Sequence, residues 1–258
     1  MKIYNMIQDK YNFSDFTVDH YSKLLLLAKK RYNFIFFNEI NKQQSFILWR
    51  HDIDFSIHRA YRLAQIESEL GIKSTYFIHL HNEYYNIFEK EISLLVKKII
   101  SLGHQIGLHF DTHYYNIENE SELNSKLLFE AKLIKKLFDI NVKVFSFHNT
   151  TQFTMSCQNW KYAGLINTYA NFFQKNVEYC SDSNGYWRYN RLYDILSVST
   201  SNQLQILTHP EWWQEEVMSP WERIKHCIDG RSFKNKKQYQ DHLRKFNMKN
   251  IDWNGEIK

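Results

Sequence analysis

Proline and glycine are scarce in this chain, two and seven among 258 residues, and no stretch reads as a low-complexity linker. With no internal repeat and no break in composition, one domain over 1–258 is the simplest organisation. Cysteine is rarer still than glycine. Cys157, Cys180 and Cys227 are odd in number and far apart, which excludes a secreted disulfide framework or a C-x-x-C pair and favours a reducing compartment. Long apolar runs are absent as well. The longest near the N-terminus, Leu24 to Ala28, is far too short to span a bilayer. The opening segment from Met1 to Asp9 lacks the apolar core of a signal peptide. The expectation is a cytoplasmic protein with no membrane span.

What is present suits a folded α/β protein: the hydrophobic fraction is 43% and the charged fraction 24%, both ordinary for a globular chain. Lys and Arg outnumber Asp and Glu by 33 to 28. Much of that excess lies in Arg231-Ser232-Phe233-Lys234-Asn235-Lys236-Lys237. No nucleic-acid recognition motif accompanies it, so a solvated helix face is the better reading and nucleic acid is not expected as a partner. The modest positive charge also suits an anionic small substrate, such as a nucleotide-linked or phosphorylated sugar.

Apolar spacing near 3.6 predicts helices at about 14–31, 57–70, 87–102, 120–138 and 220–229. Ser14 and Ser56 stand where N-caps belong, and Gly71 and Gly103 where C-caps belong. Between the helices lie short apolar runs: Phe46 to Trp49, Thr75 to Ile78, Gln105 to Leu108, Val142 to Phe147, Val177 to Cys180 and Leu204 to Leu207. Such alternation implies a mainly parallel sheet or barrel with helices outside, whose functional residues gather at the C-terminal strand ends. A helical extension at 1–45 and a helical segment at 214–258 flank this motif-bearing region, 46–213.

Those strand ends carry the chemistry. In Leu48-Trp49-Arg50-His51-Asp52-Ile53-Asp54 the two aspartates are two apart, so both point to one side of a strand, with Arg50 one position deeper. Crowded carboxylates repel unless a cation sits beside them. A divalent metal on one leaves the other free as a general base. Alternatively, one caps the helix near Ser56 while the other pairs with Arg50. His109 and His113 form H-x-x-x-H in Gly107-Leu108-His109-Phe110-Asp111-Thr112-His113, a spacing that lets two imidazoles converge on a zinc-like ion. Asp111 offers an alternative oxygen ligand. His209 ends the run Leu204 to Thr208 and is placed to protonate a leaving amine, with Trp212 and Trp213 beside it as a surface for a sugar face. The competing reading is a buried histidine with tryptophans filling core. His148 ends the strand at Val144 to Phe147, Asp182 follows Val177 to Cys180, and Trp187 and Arg188 add an aromatic surface and a cation. His148, Asp182, Trp187, Arg188 and Trp212 are therefore candidate substrate contacts.

These segments resemble the polysaccharide deacetylase family, also called the NodB-homology group or carbohydrate esterase family four, from about residue 46 to 213. The wording of Arg-His-Asp-Ile-Asp, Gly-Leu-His-Phe-Asp, Phe-Ser-Phe-His-Asn, Ser-Asp-Ser-Asn-Gly-Tyr-Trp-Arg and His-Pro-Glu-Trp-Trp is similar to a branch associated with surface-polysaccharide gene clusters. The resemblance implies a distorted (β/α) barrel that hydrolyses an N-acyl group, usually acetyl, from a sugar with one divalent metal. It makes Asp52 the base, Asp54, His109 and His113 the ligands, and His209 the general acid. Two His and one Asp suit zinc best, with cobalt, nickel or iron also fitting. The implied substrate is an N-acylated sugar, free, nucleotide-linked or lipid-linked, and nothing in the sequence bears on oligomeric state. Two departures stand out. The family's adjacent Asp-Asp-Gly is absent, and its Arg-Pro-Pro segment is replaced by Phe147-His148-Asn149-Thr150. His148 then either orients the base or replaces His113 as ligand, and Arg50 is a further candidate for holding Asp52. Two rivals are a non-catalytic glycan-binding module using Trp187, Trp212 and Trp213, and a different metal hydrolase such as a phosphoesterase. The lack of a second ligand cluster weighs against the latter.

Overall fold

The structure, a computed structural model, describes residues 10–41 and 44–256. Nine strands form one sheet: β1 (Asn33–Phe34), β2 (Phe46–Ile53), β3 (Thr75–Ile78), β4 (Gln105–Asp111), β5 (Val144–His148), β6 (Lys161–Tyr162), β7 (Leu165–Asn167), β8 (Glu178–Ser181) and β9 (Gln203–Thr208). Their order is β6-β7-β5-β4-β3-β2-β9-β8, with β1 paired to the start of β2. Every pairing is parallel except β6 with β7. No pairing joins β8 to β6 or β7 among the described residues. The sheet is therefore curled but open along a seam, a half-barrel rather than a closed one. The longer helices are α1 (Val18–Lys29), α2 (Ile57–Glu69), α3 (Lys90–Ser101), α4 (Glu120–Phe138), α5 (Leu192–Val198) and α6 (Pro220–Lys245). This is the helix-wrapped, mainly parallel architecture that the alternating pattern implied.

The centre of the sheet is β2, buried in all eight residues and flanked by β9 on one side and by β1 and then β3 on the other. Side chains alternate across it. Ile47 and Trp49 face outward into an apolar layer with Tyr21, Leu24 and Leu25 of α1 and Leu63 of α2. Phe46 and Leu48 face inward and pack with Phe37, Phe77, Val144 and Ile166. A third layer joins Tyr76, Ile78, Leu108 and Phe145 to residues of α2, α3 and α4. The inner floor requires Gly107: a Cβ there would stand 2.5 Å from Cε1 of Phe77, closer than packed atoms allow.

Outward-facing His51 meets an acid instead of a hydrocarbon. Its Nε2 lies 2.7 Å from Glu67 Oε1 of α2, while Tyr76 Oη donates to Glu67 Oε2 at 2.6 Å and Tyr21 Oη donates to Oε1. Thr208 of β9 closes the chain at 2.7 Å from His51 Nδ1. This buried network ties β2, the strand bearing Asp52, to its helix and to both neighbouring strands.

Some element ends depart from the sequence expectation. Ser56 caps α2 as expected, its Oγ accepting from Arg59 N at 3.2 Å, and Gly71 and Gly103 adopt positive φ of 66° and 92° past their helices. Ser14, however, lies within a short 3-10 turn, Phe13–Phe16, and α1 is capped by Thr17. The described part of the N-terminal segment is also integral to the fold, since Gln214 N donates to Phe16 O at 3.0 Å and Val18 N donates to Gln214 O at 2.8 Å. The last helix runs to Lys245, well past the expected end near 229. Its Ser219–Glu222 capping box and Pro220 start it firmly. Its outer turns carry little apolar periodicity to read because only Arg223 is buried. The basic stretch at 231–237 lies in this helix, where Arg231 pairs with Glu89 and Lys234 with Glu91.

Candidate metal centre and acid–base groups

Parallel strands deliver their C-terminal ends to one rim of the sheet, and β2, β4, β5 and β9 place the site there. Asp54 follows β2, His109 stands in β4, and His148 ends β5. Asp54 Oδ1 lies 3.2 Å from His109 Nε2 and 3.5 Å from His148 Nδ1, and the two imidazole nitrogens are 3.1 Å apart. These three are the group of potential ligands that converges among the described residues. A tetrahedral ion about 2.0–2.1 Å from each ligand would separate them by about 3.3–3.4 Å, so the observed triangle fits a small divalent cation. Asp54 Oδ1 is buried without a hydrogen-bond partner, as expected of an atom whose partner is a metal. Side-chain exposures of 23% for Asp54 and 20% for His148 leave an outer face open to a water or substrate. Burial alone would raise the Asp54 carboxyl, but the facing His109 and His148 hold it well below the usual carboxylate range.

His113, expected as a ligand, lies apart. After Asp111 the chain turns into the short helix Thr112–Tyr115, whose first turn Asp111 caps by accepting from His113 N at 2.8 Å. That turn swings the ring outward, where His113 Nε2 contacts Asn149 O at 2.9 Å. His148 stands beside His109 instead because β5 lies beside β4, pairing Asp111 with His148. Its Nε2 is 2.9 Å from the side-chain amide of Asn149. With that amide turned to present oxygen, Nε2 donates and the Nδ1 lone pair is free for the cation. Asp111, the alternative ligand, instead caps this turn with Oδ2 3.7 Å from His79 Nε2.

Asp52 sits one layer below the triangle. Its Oδ2 accepts from Arg50 Nη2 at 3.0 Å and from Ser146 Oγ at 3.1 Å, and lies 3.7 Å from His109 Nδ1. Oδ1 is buried and unpartnered. Arg50 thus holds Asp52, for which it was a candidate, and no aspartate caps α2, since Ser56 does.

His209, just past β9, has its Nε2 3.8 Å from Asp54 Oδ2. Its Nδ1 donates to Asp182 Oδ1 at 2.6 Å, and its backbone N donates to the same carboxylate at 3.0 Å. Burial would lower this imidazole, but the charge and hydrogen bond of Asp182 outweigh it and push His209 up to about 10. Asp182 was expected to touch substrate. It is instead completely buried and also accepts from Trp213 Nε1 at 2.9 Å, behind His209.

The tryptophans are corrected likewise. Trp187 Nε1 donates to Asp15 Oδ2 at 2.8 Å while its ring stacks on Phe16. Trp213 is fully buried against Tyr21. Trp212 packs over Gly185, where an added Cβ would meet its ring at 2.8 Å. All three pack in the outer apolar layer, Trp213 fully buried and Trp187 and Trp212 partly so, so only parts of Trp187 and Trp212 reach the surface. Arg188 is exposed and lies over the Tyr189 ring, 5.4 Å from its centroid.

Three groups escaped the sequence reading. Ser146 is two residues before His148 on the same strand face, a period-two signal that was available. His79 follows β3 just as Asp54 follows β2, with its ring 4.6 Å from that of His148. Burial, with His109 and His148 adding, pushes it down to about 3. Glu211 is buried with both carboxylate oxygens unpartnered, and burial followed by the charge of Asp54 raises it well above the usual range. The three cysteines are free, and no described helix is long and apolar enough to cross a membrane.

No protein-family model matches the chain, and no curated protein matches it. Solved structures do. One is a carbohydrate esterase family 4 pseudoenzyme from Bacillus anthracis, at 13% identity and TM-score 0.42, covering 77% of this chain and 63% of that one. This chain thus spans less than two thirds of that relative's length. A family 4 carbohydrate esterase from the same organism matches at 17% identity and TM-score 0.44, over 83% of this chain and 86% of that chain. The catalytic domain of a peptidoglycan N-acetylglucosamine deacetylase from Eubacterium rectale matches at 14% identity and TM-score 0.46, over 76% and 87%. Over most of its length this chain is similar to solved structures of carbohydrate esterase family 4.

Proposed function

We propose that this protein is a metal-dependent hydrolase that removes an N-acyl group, acetyl in the simplest case, from a sugar. The observation that carries the reading is the triangle of Asp54, His109 and His148, whose 3.1–3.5 Å edges suit a tetrahedral cation. The sequence resemblance to polysaccharide deacetylases supplies the substrate class. Two imidazoles and one carboxylate suit zinc, with cobalt, nickel and iron as the other fits. A divalent ion bound there would polarise an acyl carbonyl and lower the pKa of a water.

The remaining work falls to this chain's own side chains. Asp52, held by Arg50 and Ser146, takes a proton from the attacking water through its free Oδ1. His209 keeps its proton at neutral pH because Asp182 stabilises the imidazolium, so it serves as the acid that protonates the departing amine. Its Nε2, 3.8 Å from Asp54 Oδ2, faces the same opening. Arg50 and Asp182 are positioning residues, each acting through its partner. The unpaired cysteines suit work in a reducing compartment, such as the cytoplasmic assembly of surface polysaccharide from nucleotide- or lipid-linked sugars.

The test pairs metal content with amine release. Purified protein should carry about one equivalent of divalent metal and release free amine from an N-acetylated sugar panel, while Asp52→Asn retains the metal and loses about 10²–10⁴ in turnover. Wild-type turnover in Asp52→Asn would remove Asp52 from the mechanism. A wild type that takes up no zinc or cobalt would overturn the metal reading.

A further inference from the structure

One layer below Asp52, the open seam of the sheet gives onto a cavity distinct from the rim that carries Asp54, His109 and His148. Its volume is about 320 Å³, and its lining includes Arg50, Gln205, Thr168, Tyr169 and Tyr179, with Met155 among the lining residues. Tyr179 comes from β8, while Thr168 and Tyr169 follow β7. The cavity therefore lies where those two sheet edges face each other without pairing.

Among the described residues, four polar atoms in this lining make no hydrogen bond: Nε and Nη1 of Arg50, Oγ1 of Thr168 and Oε1 of Gln205. Their residues are 1%, 3% and 4% exposed, so bulk water does not satisfy them. Buried polar groups in folded proteins are nearly always paired, and four orphans around one void mark a place built for a polar occupant. The set is rich in donors and contains a cation. Arg50 gives Asp52 only Nη2, and its guanidinium faces rest against Phe77 and Tyr169, at 5.4 and 5.6 Å from the ring centroids. A single buried cation that already shares its charge with one aspartate suits a singly charged planar anion better than a doubly charged tetrahedral one. Gln205 can turn its amide to present N–H in place of oxygen.

We propose that this cavity binds a carboxylate at Arg50. The acid is either a small free one, of the size released by acyl hydrolysis, or the carboxylate of an acidic sugar reaching in through the seam. The site does not depend on the hydrolase reading, because occupancy is read directly.

The experiment is calorimetric titration of the metal-loaded protein with sodium acetate and sodium glucuronate, each beside a neutral analogue, acetamide or methyl glucoside, and with inorganic phosphate. Asp54→Asn removes the metal centre as a competing carboxylate site. Thr168→Val deletes one donor, and Met155→Trp narrows the cavity from a residue that is 43% exposed and so tolerates the larger ring. The proposal expects saturable binding of a carboxylate but not of its neutral analogue. That binding should survive in Asp54→Asn, weaken about tenfold in Thr168→Val and fall in Met155→Trp. Saturation by acetate identifies a free small acid as the ligand. Saturation by glucuronate alone identifies a sugar-borne one. No carboxylate binding, equal binding of the neutral analogues, preference for phosphate, or binding that is lost with Asp54 and indifferent to both cavity variants would each overturn it.

Discussion

Replacing Asp182 with asparagine isolates the group that keeps His209 protonated. The variant retains an acceptor for His209 N and for Trp213 Nε1 but loses the charge that stabilises the imidazolium. Each tenfold in a protonation equilibrium is about 1.4 kcal/mol. Holding the His209 proton to about 10 instead of 6.5 therefore corresponds to about 5 kcal/mol of differential interaction. Asp54 and Glu211 add to the Asp182 contribution, and breaking one side of a buried pair typically costs about 3–5 kcal/mol. The sign follows from the direction of the shift. A histidine raised in the folded state contributes stability that is complete below its unfolded value of 6.5 and is lost as pH rises through about 10. Asp182→Asn should be about 3–5 kcal/mol less stable than wild type near pH 6. The gap should narrow by about 1.4 kcal/mol per pH step above 6.5, closing toward pH 10. The assay is urea unfolding of both proteins, stripped of metal by chelation, at several pH values across this window, with the His209 ring followed by NMR. A gap independent of pH, or a wild-type His209 that titrates near 6.5, would refute the argument.

Further consequences concern the site and its frame. Asp54→Asn, His109→Ala and His148→Ala should each lose the bound metal by elemental mass spectrometry, whereas His113→Ala should keep it. The opposite pattern for His113 and His148 would restore the H-x-x-x-H pair as ligands. Glu67→Gln removes the acid on which His51, Tyr21 and Tyr76 converge. Burial alone would raise Glu67, but His51 leads the interactions that bring it down to about 2. Its contribution of about 3 kcal/mol is therefore present at neutral pH and lost as pH falls from 4.5 through about 2, a loss that paired urea melts at neutral and acid pH would register. Gly107→Ala forces a Cβ to 2.5 Å from Phe77. Overpacking of this kind costs about 1–3 kcal/mol, and because Phe77 underlies Arg50, the variant should lower turnover as well as melting temperature.

The local code of this chain determined a good deal. Short apolar runs placed β2 through β5, β8 and β9, and apolar spacing near 3.6 placed helices α2 to α4, within a few residues. Burial is a local demand that each segment states for itself, on both faces for β2 and along one stripe for a helix. The polar strand ends located the rim, and the two-residue step from Arg50 to Asp52 put the guanidinium and the carboxylate on one face of the strand, because side chains alternate along it. The very short strands β1, β6 and β7 were not legible, since two or three residues carry no period. Nor was the outer half of α6, which buries almost nothing.

Which groups meet across the rim was decided only by tertiary structure. His113 is four residues from His109 in sequence, but a helical turn begun by Asp111 carries it away, while His148 arrives from 39 residues downstream because β5 pairs with β4. Asp182 has the composition of a substrate contact and the position of a buried anchor, and the difference lies in β8 packing against β9 with Trp213 over it. Sequence spacing sets the face of a strand on which a side chain emerges. The order in which strands pair sets its partners, and that order is a property of the whole sheet.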